Sequence, residues 1–454
     1  MQPAPARRRS IFGGLLLTLL GTYFLLANLL PELNLWSAFW RYWPALLILW
    51  GVARLVDYRS ARRAGQAPPR TLTAGEFVLV LLLIGVVGVI SLVRQIRTDP
   101  DRQIDLVLPW DRAFSFPEEV TSEVVATDAA LDILIPRGNI EIVAEEASQI
   151  RAVVSKRAYA FSERDARRAA DQASLRIVKT DSGYALQPEW REGRRLGNIY
   201  FDLTVHVPRS MPLRIQSVRG NLRAAGLTGR LDVELRRGDV EIRNAGSAVR
   251  VKLRQGDVRI HAVRGDVIVE GPGDLVEVSE VAGALTIQGN FSGPIQISRV
   301  QGETTFRSSR TNLSVGRIAG QLELSGGQLT LTDSSGPVSL ITRSYDITME
   351  NIEGELRIEN RSSGDIRLQF RRPPQQPVQV RNEKGDIELT LPAEATFALQ
   401  AIAQRGEIES DFTGAGLEKT DREEAVELRG RVGARGPNIR LETTYGTIRL
   451  RRGP

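Results

Sequence analysis

In this 454-residue chain six aspartates directly follow a glycine: Asp239, Asp257, Asp266, Asp274, Asp365 and Asp386. Carboxylates returning at turns are raw material for a calcium site, because that hard cation takes several oxygens at once. Nonapeptide calcium rolls achieve this with GGxGxD, whose extra glycines let two turns add carbonyls to the carboxylates. Each aspartate here has one adjacent glycine, so the expected role is to stabilise a turn. Gly238, Gly256, Gly265, Gly364 and Gly385 are the matching turn glycines. The remaining chemistry is sparse. His206 and His261 are the two histidines, neither stands in a metal-ligand spacing, and His261 is expected in the turn after GDVRI. There is no cysteine, which excludes thiol catalysis, disulfides and zinc thiolates. Acid-base work needs a carboxylate pair or a base beside a cation in a cleft. Outward rows such as Glu241 with Arg259 supply the residue types, yet alternating charge on a strand face reads as a cross-strand pair. The basic pairs Arg236-Arg237 and Arg371-Arg372 could touch anionic lipid or wall polymer, with a solvated face as the plainer reading. Trp110 and Trp190 are expected to pack rather than stack on sugar. No catalytic residue, cofactor or metal site is expected, and the function points to binding. A polysaccharide-acting β-helix enzyme is the alternative.

The glycine–aspartate pairs belong to a longer series. GNIEI (138), GRLDVEL (229), GDVEI (238), GDVRI (256), GDVIV (265), GALTI (283), GPIQI (293), GQLEL (320), GELRI (354), GDIRL (364), GDIEL (385) and GTIRL (446) repeat one phrase. AVRVKL (248–253), TNLSV (311–315) and YDITM (345–349) fill double-length gaps. Alternating apolar residues form a strand with one dry face, and Gly, Asn, Asp or Ser then turn the chain. Units this short cannot hold a βαβ crossover. The expected class is therefore all-β, a β-solenoid resembling a single-stranded β-helix, with coils of two or three strands over residues 220–452. An antiparallel sandwich or a pair of barrels is the competing architecture.

Residues 104–219 read as a less regular, β-rich cap. It holds one helix over 162–173, with Ser162 and Asp165 as a capping box and Ala166, Ala169, Ala170 and Ala173 on one face. Residues 414–436 are a candidate cap for the other end, and RRPPQQP (371–377) a projecting loop.

Residues 1–97 read as membrane. Ile11 to Leu30 is uncharged and long enough to span, and Phe77 to Val93 is a second such run. Between them, 36–56 spans if Arg41 and Arg54 snorkel to the interfaces, with Trp36, Trp40 and Trp43 in the aromatic belt. Three helices are expected. Arginines crowd the N-terminus and the 57–75 link, which marks those as cytoplasmic and makes a nucleic-acid groove a poor explanation of the basic excess. Three crossings place the large β domain outside the cytoplasm of a multi-pass membrane protein. A re-entrant 36–56 segment would reverse that.

The stretch RRRSIFGGLLLTLLGTYFLLANLLPELNLWSAFWRYWPALLILWGVARLVD (7–57) resembles the membrane region of LiaI/LiaF-type bacterial envelope proteins: a Gly-rich first span, a Trp-bearing loop, and WP opening the second. Residues 130–450, ending in LETTYGTIRLRR (441–452), resemble adhesin-like bacterial domains of unknown function. The resemblance implies an envelope protein with membrane lipid around it and no catalytic residues. It further implies a partner that is another envelope protein, such as a sensor kinase restrained in a stress response. An adhesin-like module contacting cell-wall polymer is the alternative. Neither implies nucleic acid.

Overall fold

The computed structural model describes residues 112–453 other than 126–128, 161, 182, 191–198, 344 and 413–415. The three expected spans, with Trp36, Arg41, Trp40, Trp43 and Arg54, lie outside the described residues, as does Trp110. Among the described residues no helix is long and apolar enough to cross a membrane. Residues 105–454 form one compact unit whose strands join in a single mixed hydrogen-bonded network.

The repeat becomes a stack of two-strand coils. On a front face, Leu222–Ala225, Val240–Ala245, Val258–Val263, Val276–Val281 and Ile295–Val300 pair in parallel. On a back face, Leu213–Arg219, Leu231–Arg237, Val249–Leu253, Val267–Glu270, Leu285–Gln288 and Thr304–Arg307 do the same. The register is residue for residue: Val240 lies on Val258 and Val258 on Val276. Alternation turns Val249, Val251 and Leu253 inward and leaves Arg250 and Lys252 outside. Each fully buried Val, Ile or Leu contributes ~1.5–3 kcal/mol. Parallel pairing across one coil excludes the antiparallel sandwich.

The stack begins before Gly220. Ala130–Arg137 and Ile140–Glu145 form a coil that lies between two later ones. On one side are Gly183–Trp190 and Ile199–Pro208, and on the other Leu213–Arg219 and Leu222–Ala225. Residues expected as irregular cap thus supply inner coils. True capping falls to antiparallel strands: Gln149–Ala160 closes the front face on Ile199–Pro208, and Ala173–Thr180 the back face on Gly183–Trp190. The helix between them spans Glu163–Asp171, shorter than expected. The Ser162 side chain accepts the Asp165 N–H at 3.3 Å, and Ala166 and Ala170 are buried, while Ala173 opens a strand.

Midway, the chain reverses. Thr311–Ser325 runs antiparallel to Thr304–Arg307 on the back face and then to Ile295–Val300 on the front. Gly326 and Gly327, both at positive φ, close a hairpin into Gln328–Thr342, and parallel coiling resumes on that strand. The unit GQLEL is therefore part of a counter-running coil.

At the far end the last coil is also interleaved. Asn438–Tyr445 lies between Val378–Lys384 and Phe397–Arg405, and Ile448–Gly453 between Ile387–Pro392 and Ile408–Ser410. Ala425–Val432 then covers Phe397–Arg405 in antiparallel fashion, and Leu417–Arg422 pairs antiparallel with the outer edge of Ala425–Val432. Residues 371–377 link Ile366–Gln369 to Val378–Lys384 with Arg371 and Arg372 exposed.

Candidate binding surface

The Gly-Asp turns other than Gly265-Asp266 line one corner of the stack, where Asx side chains hold the next coil. Asp202 accepts the Asn139 N–H (2.9 Å), Asn139 the Asn221 N–H (3.0 Å), and Asn221 the Asp239 N–H (2.9 Å). Asp239 then accepts the Asp257 N–H (3.0 Å) and Asp257 the Leu275 N–H (3.3 Å). Beyond the reversed coil, Asp346 serves Asp365 (3.0 Å), Asp365 serves Asp386 (3.0 Å) and Asp386 serves Thr447 (2.8 Å). The outer carboxylate oxygens face arginines, as in Asp257–Arg259 (2.8 Å) and Asp386–Arg449 (2.6 Å). The Thr447 N–H first and Arg449 next hold the Asp386 carboxyl below its ordinary value of 3.8, against the opposing effect of burial. Gly238, Gly256, Gly364 and Gly385 all precede these aspartates at positive φ. A side chain at Gly256 would place its Cβ 2.2 Å from the Gly238 carbonyl oxygen, so the coils close only on glycine there. Behind the turns, the buried Asn382 amide donates to the Gly364 carbonyl (2.8 Å) and accepts from Asn360 (3.0 Å).

Gly265 and Asp266 occupy the opposite corner, where Asp266 accepts the Ala284 N–H (2.8 Å). This corner has a feature the repeat does not announce. Asn244, Ala262, Glu280 and Arg299, then Asp333 and Asn351, take φ between 49 and 59, stacked coil on coil. A left-handed residue lets two successive side chains point outward before the next turns in, as in exposed His261, half-buried Ala262 and buried Val263. His261 consequently lies inside a strand, not in the turn expected for it.

The outward front-face residues fall into two rows. One reads Arg223, Glu241, Arg259, Glu277, Gln296, with Arg223–Glu241 at 3.3 Å and Arg259–Glu277 at 3.8 Å. Glu241 and Arg259 are register partners as the alternation suggests, but the closest ion pairs are with Arg243 and Asp257. The second row changes from charge to hydroxyl and amide: Arg243, His261, Ser279, Ser298, Gln321, Thr332. Around its neutral part a polar groove of about 450 Å³ opens, edged by Glu277 and Arg299. The reversed coil makes it. Register shifts at Ser298/Val300 and Ile318/Gln321 displace the backbone, and Gly320 lies so close to the Thr332 carbonyl that a Cβ would meet it at 2.5 Å.

His261 Nδ1 stands 2.8 Å from Ser279 Oγ, and its Nε2 3.5 Å from Glu280. That is the composition of a nucleophile, a base and an orienting carboxylate. Ser279 is nevertheless mid-strand between His261 and Ser298, where backbone N–H groups are committed to the ladder rather than aimed at an oxyanion. Among the described residues no group of three His, Cys, Asp or Glu side chains could hold a metal ion. Trp190 packs edge-on against Phe201 at 6.1 Å.

Residues 265–451 match the family described as Toastrack DUF4097, and residues 11–55 the LiaI-LiaF-like transmembrane region. No curated protein matches the chain. A solved structure of a candidate cell adhesion protein from Clostridium sporogenes is 9% identical, with 74% of this chain and 100% of that one covered and a TM-score of 0.16. One of a candidate adhesin from Bacteroides fragilis is 12% identical, covering 74% and 97%, with a TM-score of 0.21. The chain carries a LiaI-LiaF-like transmembrane region at its N-terminal end and a Toastrack domain in its C-terminal part.

Proposed function

We propose that this chain is a membrane-anchored bacterial envelope protein whose β-solenoid is a non-catalytic binding platform, restraining an envelope stress response through a membrane sensor kinase. The arginine distribution around the expected spans supports a multi-pass membrane region with the coil stack outside the cytoplasm. The observation that carries the reading is the groove at the reversed coil. There a face otherwise built of paired charges offers neutral hydroxyls and amides, Ser298 and Gln321 among them, able both to donate and to accept to an extended segment of a partner. The same groups could meet a cell-wall polymer, which is the adhesin-like reading. Catalysis is not proposed, because Ser279 stands mid-strand, where the backbone N–H groups beside the Ser279–His261–Glu280 set are committed to the ladder.

The test uses the native bacterium. Deleting the chain raises the stress output in unstressed cells, the full chain restores it, and Ser298→Trp, which fills the groove, does not restore it at equal abundance. Unchanged output on deletion would end the regulatory reading. Covalent labelling of Ser279 by a fluorophosphonate probe would revive the enzyme alternative.

A further inference from the structure

Two short strands form the outermost front-face edge at the N-terminal end of the stack, Arg112–Ser115 and Glu119–Val124, the second with the sequence EVTSEV. Glu119–Val124 pairs antiparallel with Gln149–Ala160 and, among the described residues, with no other strand. Its inner side is anchored: Glu119 binds the buried Lys156 (2.6 Å), Thr121 reaches the Leu175 carbonyl (3.5 Å) and Tyr184 the Val124 carbonyl (3.5 Å). Val120 and Val124 point the other way and are 63% and 75% exposed, the largest exposures among the large hydrophobic side chains of the described residues.

The other end of the stack is different. Its edge strand, Leu417–Arg422, carries Glu418, Lys419, Asp421 and Arg422, the charged edge that discourages pairing with another chain. Glu119–Val124 has no lysine, arginine or proline within it, and valines where such residues would stand.

Backbone geometry says what would fit. Val125 donates to the Ser148 carbonyl (3.1 Å), so by alternation Glu123, Thr121 and Glu119 also turn their N–H and C=O groups toward Gln149–Ala160. Val120 and Ser122 turn theirs to the open edge, as Val124 does its N–H, while the Val124 carbonyl already accepts from Tyr184. A second copy of the strand, antiparallel about a two-fold axis through Ser122, sets Ser122 on Ser122 and each Val120 on the other copy's Val124. All three edge-facing residues are then paired with edge-facing residues. On the reverse side Thr121 meets Glu123, so no like charges oppose one another.

We propose that two copies of this chain associate by joining their Glu119–Val124 edges in this register, which covers the exposed valines and continues the front face from one copy into the other. Such a contact is isologous and closes at two.

The test is disulfide capture in native membranes with the full chain, which has no cysteine of its own. Paired residues of this kind bring Cα atoms to ~5.5 Å, within disulfide reach. Ser122→Cys is expected to give a covalent dimer under mild oxidation, and Thr121→Cys at least tenfold less. Adding Val120→Lys and Val124→Lys is expected to abolish the Ser122→Cys product at unchanged abundance. A Ser122→Cys chain that stays monomeric, or equal dimer from both cysteine positions, would overturn the proposal. Either result leaves the groove and its partner untouched.

Discussion

The carboxylate of Asp239 accepts the backbone N–H of Asp257, one coil further on, at 3.0 Å. Two acidic side chains thus lie on successive steps of one corner, and what the pairing secures is register. A one-residue slip in any coil would send every inward valine to solvent. An Asx oxygen gripping the next turn penalises such a slip at the corner, before the core is consulted.

Gly256→Ala tests how closely the turns stack. Its Cβ would lie 2.2 Å from the Gly238 oxygen at a φ of 127, so backbone has to move in two coils. The expected loss is ~3 kcal/mol or more, read from thermal unfolding of the solubilised chain by circular dichroism. A loss near that of an ordinary surface substitution would contradict the stacking.

Asp386 predicts a pH dependence. Its folded-state pKa is lowered, chiefly by the Thr447 N–H and then by Arg449. A lowered pKa stabilises the fold above the ordinary value and loses that stabilisation as pH falls through the folded value. Asp386→Asn, which keeps an acceptor but not the charge, should be less stable than the parent near neutrality. The gap should close as pH drops below 3.8. A gap that persists in acid would assign the effect to packing.

Ala262→Gly tests the left-handed column. Alanine at φ 58 carries a strain of ~1–2 kcal/mol, which glycine relieves while adding ~0.4–1 kcal/mol of unfolded-state entropy. A net gain below ~1.5 kcal/mol is expected from urea unfolding. Destabilisation would show that the φ is not strained.

Removal of residues 438–454 tests the interleaved end. In a stack built in chain order, the last coil could leave alone. Here Asn438–Tyr445 separates Val378–Lys384 from Phe397–Arg405, so both neighbours lose a partner. Amide exchange should accelerate across 378–437. Acceleration confined to 425–437 would contradict the insertion.

The coils were legible in the sequence because burial demands alternation and corners demand glycine. Alternation alone turned Val240, Val258 and Val276 inward, but the spacing allowed two or three strands per coil, and only the structure stacks them on one another. Other features lacked such a signal. Nothing periodic marks Ala130–Arg137 as lying between later coils, since strand insertion is a long-range pairing and leaves the local pattern unchanged. Ala262, Glu280 and Arg299 adopt a conformation that composition assigns to glycine or asparagine. The reversal did leave a mark, the Gly326-Gly327 pair between LELS and QLTL, which is a two-residue hairpin signal hidden inside a glycine-rich repeat. The groove depends on that reversal, so the neutral row from Ser279 to Thr332 could be assembled only once the coil direction was known.

The most direct test of the binding account places a photo-crosslinking side chain at Ser298 in the groove, and separately at Arg357, exposed on the back-face strand Leu356–Ser363, in native membranes. The account predicts an adduct with a membrane sensor kinase from Ser298 and none from Arg357. Absence of any adduct at Ser298, or equal yield from both faces, would contradict it.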